Sequence, residues 1–295
     1  NGDIEVVTRH LRSKGLVSPE LQPTADGRLW VDAPGGAWRL MTHVDGVSHD
    51  RLDSPAQAEE AGRYLARFHA ALADLRHRFS SPRAGVHDTP RHLAGLRQAL
   101  VDHAGHRDIA EIGPLAEDIL ALAADLPAIP ALPPRVVHGD PKINNLLFDE
   151  GTGRAVCLID LDTLGHLPLH LELGDAFRSW CNPKGEDSPR SAFALDLFGA
   201  AVRGYAGGAR AWVTAGEIDA IVPGTLTIYV ELAARFCADA LREAYFGWDP
   251  ARYPSRSAHN RVRAASQVTA ARGLWSVRAE AEAAVRAAFG KERTT

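Results

Sequence analysis

The side chains best suited to chemistry in this chain lie close together. Asp140, Asn145, Asp160 and Asp162 fall within one strand-loop-strand stretch, with His138 and Lys142 interleaved. Hard oxygen ligands projecting from strand ends are what Mg²⁺ requires, and that ion is commonly held by one or two protein carboxylates together with substrate phosphates. A lysine nearby suits a phosphate as a point charge. The order is more telling: an Asp, a Lys two residues later, an Asn five residues after the Asp, and a strand-end Asp beyond a further hairpin. In phosphoryl transfer a loop Asp orients the attacking hydroxyl, an Asn five residues on binds metal, and a later strand-end Asp binds the bridging ion. A Gly-Asp pair alone is ordinary turn chemistry. It is the joint pattern that points to function.

The elements that position these groups can be read outward from them. Residues 125–135, DLPAIPALPPR, carry four prolines and predict an extended connector. Then come an apolar run (RVVH), a polar loop (GDPKINN), a second run (LLFD), a glycine turn (EGTGR) and a third run (AVCLID), which predict a small sheet with polar groups at its strand ends. Beyond Leu169 the pattern turns helical, with breaks near Asn182 to Pro189 and Gly204 to Gly208 and long periodic stretches over 225–246 and 261–289. At the other end, Asp3 is placed to cap a short helix with Ile4, Val7 and Leu11 on one face and Gly15 as its stop. Runs at 28–32 and 38–43 flank Ala33-Pro34-Gly35-Gly36 and predict a hairpin. Ser54, Pro55 and Gln57 form a capping-box signature for a helix to about Leu75, with Ala61, Tyr64, Leu65, Phe68 and Leu72 on its core face.

Composition bounds the function. The 295 residues are 45% hydrophobic and 24% charged, ordinary for a globular protein with room for two lobes. With 33 Lys+Arg against 37 Asp+Glu the formal charge is -4 and no basic stripe appears, so a nucleic-acid or anionic-membrane partner is not expected. No uninterrupted apolar stretch approaches membrane length, and the first residues show neither a signal core nor a transit pattern, so the expected location is cytoplasmic. Cys157, Cys181 and Cys237 are scattered and odd in number, which predicts reduced, buried thiols.

HGDPKINNLLF followed by CLIDLDTLG resembles the catalytic and metal-binding loops of the aminoglycoside phosphotransferase and choline kinase superfamily. Within it, LELGDAFRS, YVELAARFCADALREAYF and HNRVRAASQ look closest to N-acetylhexosamine 1-kinases. The resemblance implies an α+β, bilobal, protein-kinase-like fold with a partial small lobe over 1–43, a hinge over 44–53 and a large helical lobe over 54–295. It implies that Asp140 orients and deprotonates the acceptor hydroxyl, that Lys142 neutralises the migrating phosphoryl group, and that Asn145, Asp160 and Asp162 hold Mg²⁺ against ATP. It further places Arg235 and Tyr245 beside a sugar acceptor and backbone groups of Thr42, His43 and Val44 beside the adenine. His138 would brace the loop, and Asp175 would cap the next helix and support it. The chain starts on Asn, holds one methionine, Met41, and shows no glycine-rich loop or strand lysine before its first helix, so the small lobe is expected to lack its first strands.

Other readings remain open at this level. Glu231, Arg235 and Asp239 recur at i, i+4 and would also suit a charged helix ladder. Tyr245, Phe246 and Trp248 are an aromatic run that suits a core as well as a sugar. The acids Glu231, Asp239 and Glu243 would suit a cationic antibiotic acceptor. A metal-dependent hydrolase would use His138, Asp140, Asp160, His166 and His170 as ligands, though it leaves Lys142 and Asn145 idle. The missing phosphate-covering loop suits a non-catalytic pseudokinase. His43, His166 and His170 are otherwise read as structural.

Overall fold

The computed structural model describes residues 1–80, 86–185 and 187–290. It begins with α1 (Gly2–Ser13), which buries Ile4, Val7 and Leu11 and ends at Gly15, whose φ of 78° makes it the stop the sequence predicts. The cap position belongs to Asn1. Asp3 lies in the first turn instead, where its carboxylate accepts the backbone N–H and the hydroxyl of Ser80 and meets His77. Those partners satisfy more of the carboxylate than a cap would, and the first turn still gives it the positive end of the helix dipole.

Four short strands follow: β1 (Leu21–Gln22), β2 (Val31–Ala33), β3 (Gly36–Trp38) and β4 (Leu40–Met41). The predicted hairpin is present as β2 and β3, turning at Pro34-Gly35, but it is shorter than the apolar runs. The second run divides at Arg39, and β4 pairs with β1. Residues 44–53 are not purely a break, because β5 (Val47–Ser48) within them joins a sheet described below.

α2 (Pro55–Leu72) starts as read: Ser54 accepts the N–H of Gln57 and Pro55 holds the first turn. The return arm of Gln57 reaches the N–H of Asp53, one residue before the cap. α3 (Thr89–Asp102) and α4 (Ile109–Ala124) precede the proline connector, which forms no element until β6 (Pro134–Val137). β7 (Leu146–Phe148), β8 (Ala155–Leu158) and β9 (Gly165–Pro168) come next. The three apolar runs expected in one sheet are divided between two. β7 lies between β5 and β8, while β6 pairs with β9, which folds back along it from Val137↔Gly165 to Pro134↔Pro168. The polar loop after β6 is too wide for a hairpin, so β6 finds a partner beyond β8.

The rest is helical: α5 (Leu169–Trp180), α6 (Leu195–Ala209), the short α7 (Ala215–Asp219), α8 (Ile221–Arg242), α9 (Arg256–Ser276) and α10 (Arg278–Phe289). α8 is long and apolar enough to cross a membrane by length and composition, and most of that stretch is buried inside the protein. Its first half packs into a core shared with α1, α2, α5 and α6, and its second half into a core shared with α3, α4 and α9.

The break predicted at Gly204 to Gly208 does not occur; α6 runs through it. These glycines serve packing. A Cβ on Gly204 would sit 1.9 Å from the carbonyl oxygen of Glu59, and one on Gly62 would sit 2.0 Å from that of Ala201, so α2 and α6 touch backbone to backbone. Gly204→Ala therefore sets a helix-propensity gain of about 1 kcal/mol against overpacking of about 1–3 kcal/mol. With rigid backbone as the neighbour, overpacking wins. Gly204→Ala is expected to lower Tm, whereas Gly207→Ala, in open space on the same helix, raises it or leaves it unchanged; equal Tm values for the two variants in calorimetry would refute this account.

Candidate functional site

The loop between β6 and β7 is fixed from beneath by one buried carboxylate. Glu172 on α5, its side chain 0% exposed, accepts the N–H of His138 on Oε1 at 3.0 Å and that of Gly139 on Oε2 at 2.9 Å. His69 Nε2 lies 3.3 Å from the same Oε1, and its Nδ1 lies 2.9 Å from the hydroxyl of Tyr205. Gly139 sits at φ 83°, and a Cβ there would come within 2.2 Å of the Thr163 carbonyl oxygen, so only glycine fits. His138 braces the loop: its Nε2 pairs with the carbonyl of Ile159 at 2.9 Å and its Nδ1 accepts the N–H of Asp140 at 3.3 Å. Trp180 and Ser179 on α5 hold Pro141 and Ile143 from the far side.

On this frame Asp140, Lys142 and Asn145 converge. Lys142 Nζ donates to Asp140 Oδ2 at 2.6 Å, and Asn145 Nδ2 donates to the same oxygen at 3.3 Å and to the Asp140 carbonyl at 2.8 Å. Burial alone would lower the Lys142 ammonium, but the hydrogen bond to Asp140 and the charges of Asp140, Asp160 and Asp175 raise it above its ordinary value. Lys142 is thus held as a cation.

Asp160 is brought next to Asn145 by strand pairing: Leu146 faces Leu158, and the N–H of Ile159 donates to the carbonyl of Asn145 at 2.8 Å. Its backbone is left-handed, φ 62° and ψ 58°, a conformation that costs a non-glycine residue about 1–3 kcal/mol and clusters at functional sites. Asn145 and Asp160 thus offer neighbouring hard oxygens, a donor set that fits Mg²⁺ with nucleotide phosphates completing the shell. Asp162 is placed differently. Both its oxygens accept N–H groups of Arg39 at 2.6 Å, so it tethers the segment between β3 and β4 to this loop and is not an open ligand.

A cavity of about 760 Å³ opens above the loop, lined by Asp140, Lys142, Asp175, Arg178, Arg235 and Tyr245 among others. Asp175 caps nothing; it lies inside α5, paired with Arg178 at 2.9 Å. Burial pushes its carboxyl up, but the charges of Arg178 and His87, the Arg178 hydrogen bond and the charge of Arg235 outweigh this and hold it below the ordinary value. The helix ladder also does not form. Glu231 takes His87 and Thr89, while Asp239 accepts the N–H groups of Ala244, Tyr245 and Phe246 and the amide of Asn260. Long-range partners of fixed geometry win over exposed helix pairs worth a few tenths of a kcal/mol. Arg235 is left over the Phe246 ring, 5.6 Å from its centroid, with no ion pair among the described residues. Tyr245 is 69% exposed, so the aromatic run is only partly core.

Thr42 is bound on both backbone and side chain to Glu20, while His43 and Val44 make no backbone hydrogen bond among the described residues. His166 lies on β9 against the Phe79 ring, His170 is buried, and His138 is committed to backbone. Among the described residues no group of three or more His, Cys, Asp and Glu side chains is arranged to hold a metal, so the hydrolase set is not assembled. Glu172, His87 and Arg39 were not singled out from sequence. A lone Glu in the apolar stretch LHLELG was the one available signal for the first.

Residues 6–211 match the model of the phosphotransferase enzyme family, APH. Among solved structures, a microcompartment-associated aminopropanol kinase is similar at TM-score 0.59 and 18% identity, covering 93% of this chain and 81% of its own. A choline kinase from Cryptosporidium parvum Iowa II is similar at TM-score 0.55 and 14% identity, covering 99% and 82%. An amicoumacin kinase in complex with AMP-PNP, Ca²⁺ and Ami is similar at TM-score 0.55 and 14% identity, covering 90% and 76%. The fold is therefore the α+β, protein-kinase-like fold of these enzymes.

Two outcomes follow from this geometry. Glu172→Ala leaves two buried N–H donors without an acceptor and should cost about 3 kcal/mol of unfolding free energy; an unchanged denaturation midpoint in urea would show that the carboxylate does not hold the loop. Burial and the charge of His87 push the His170 imidazole down from 6.5 to about 4. Its neutral form is favoured by folding, so this stability is complete above about pH 6.5 and is lost as pH falls toward 4. The difference in Tm between wild type and His170→Leu should change over that window and not above it.

Proposed function

The chain belongs to the phosphotransferase enzyme family, and from that premise we propose that it transfers the γ-phosphoryl group of Mg²⁺-ATP to a hydroxyl of an uncharged, polyhydroxylated acceptor. The first choice is the anomeric hydroxyl of an N-acetylhexosamine. The observation that carries the reading is Asp140, with Oδ2 fixed by Lys142 and Asn145, facing a cavity that also holds Arg235 and Tyr245.

Asp140 Oδ1 has no partner among the described residues and is the oxygen left to receive the acceptor hydroxyl. The hydroxyl oxygen forms a bond to the γ-phosphorus, the bond from that phosphorus to the β-γ bridging oxygen breaks, ADP leaves, and the hydroxyl proton passes to Asp140. Asp140 is held in place through Oδ2 by Lys142 and Asn145, so orientation outweighs proton abstraction, as a loose transition state allows. Asn145 and Asp160 would hold Mg²⁺, whose charge, when bound, neutralises the phosphates. Backbone groups at His43 and Val44 are free to meet the adenine. A cytoplasmic setting, where ATP is available and thiols stay reduced, suits three buried free cysteines.

The acceptor class follows from the charges. The acids that a cationic antibiotic would need are spent: Glu231 on His87 and Thr89, Asp239 on backbone, and Glu243 on Arg107 and His106. Asp175 and Asp187 are matched by Arg178 and Arg263. Tyr245 and Phe246 would suit a quaternary ammonium, but Arg235 stands over the Phe246 ring in its place.

A transfer assay by ³¹P NMR with Mg²⁺-ATP over N-acetylhexosamines, hexoses, choline and aminoglycosides tests this. An acid-labile sugar 1-phosphate is expected, and exclusive phosphorylation of an amine-bearing acceptor would sink it. Asp140→Asn should reduce transfer at least 100-fold, about 3 kcal/mol of barrier, with nucleotide affinity nearly unchanged. Asp160→Ala should weaken Mg²⁺-dependent nucleotide binding as well.

A further inference from the structure

One polar group on the cavity wall is unused by the chemistry above. His87, in the segment ahead of α3, lines the cavity, and its side chain is 7% exposed. Its Nδ1 is 2.9 Å from Glu231 Oε1, and Glu231 is itself fully buried and held on its other oxygen by Thr89 at 2.6 Å. That pair fixes the ring. Nε2 has no hydrogen-bond partner among the described residues, and the residue itself lines the cavity.

We propose that His87 is a specificity-determining residue of this pocket, its Nε2–H donating to a carbonyl or hydroxyl oxygen of an uncharged acceptor while Arg235 turns ammonium groups away. The assignment rests on the reading of the cavity as the acceptor site. The groups facing the imidazole are Glu231 and Arg235 on α8 and Asp175 and His170 on α5. Burial and Arg235 oppose protonation, but the hydrogen bond and charge of Glu231 and the charge of Asp175 prevail, so the ring stays protonated above its ordinary value of 6.5. A doubly protonated imidazole has a donor at both nitrogens. With Nδ1–H committed to the carboxylate, Nε2–H is offered to the ligand.

The imidazolium is complete below pH 6.5 and is lost as pH rises through its raised value, so the donor fades in the same direction. Wild-type enzyme should therefore show an acceptor KM for N-acetylglucosamine that rises at high pH with kcat less affected. His87→Gln, which keeps a neutral donor, should show a flat KM profile, a KM about tenfold higher at pH 6 and kcat within about twofold, as loss of one charge-assisted hydrogen bond implies. Thr89→Val removes the other support of Glu231 and serves as the structural comparison; it should leave the profile intact. A pH-independent wild-type KM, an unchanged KM in His87→Gln, or an equal effect of Thr89→Val would each overturn the proposal. Long-range ¹H–¹⁵N NMR of the imidazole separates this from failure of the catalytic reading. A shift of the Nε2 resonance on adding N-acetylglucosamine but not choline supports the assignment even without turnover. No shift overturns it even where transfer is observed.

Discussion

Everything at this site depends on a carboxylate that touches no substrate. Glu172 receives the N–H groups of two successive loop residues, one on each oxygen, and does so in full burial. Buried donors left without acceptors are expensive, so the loop has one cheap conformation: the one in which His138 and Gly139 both face α5. The direction of Asp140 follows from that constraint, because its own N–H is spent on His138. The orientation of Asp140 is thus set two residues upstream, by backbone.

A second feature is the pairing of charges in the pocket. One lysine, three arginines and four aspartates line it beside His87, and most are matched in specific pairs rather than averaged by solvent. Arg178 answers Asp175, Lys142 answers Asp140 and Arg263 answers Asp187. Arg235 stands outside these pairs and is neighboured by an aromatic ring. Such a surface presents donors and acceptors whose charges are largely matched in pairs.

Much of this was legible in the residues. The spacing of Asp140, Lys142, Asn145 and Asp160 carried the convergence of these side chains on one loop, since covalent distance along a tight loop nearly fixes distance in space. The cap at Ser54 and the apolar face of α2 are local in the same sense. What was misread is non-local. Gly204 carries the same letter whether it breaks a helix or lets two backbones touch, and only the position of Glu59 decides. Asp239 at i+4 from Arg235 looked like a helix partner but was claimed by N–H groups that follow a left-handed Glu243. Glu172 and His87 gave almost no signal, because a buried polar group is defined by what surrounds it. Asp162 looked like a ligand by position, but both its oxygens are taken by Arg39, which arrives from the distant segment between β3 and β4.

α8 links the two sides of the reaction. Near its middle the Tyr229 hydroxyl donates to the Arg178 carbonyl on α5, the helix that holds the loop after β6, and near its end Asp239 gathers the N–H groups of the segment bearing Tyr245. At 1.5 Å per residue those two anchors stand about 15 Å apart on a rigid rod. The helix therefore works as a ruler: it sets how far the wall bearing Tyr245 stands from the loop that carries Asp140. Adding or removing one residue between the anchors would turn the wall by about 100° and slide it by 1.5 Å, so drift in the loops reshapes the cavity locally, while drift in this rod would take its two sides out of register.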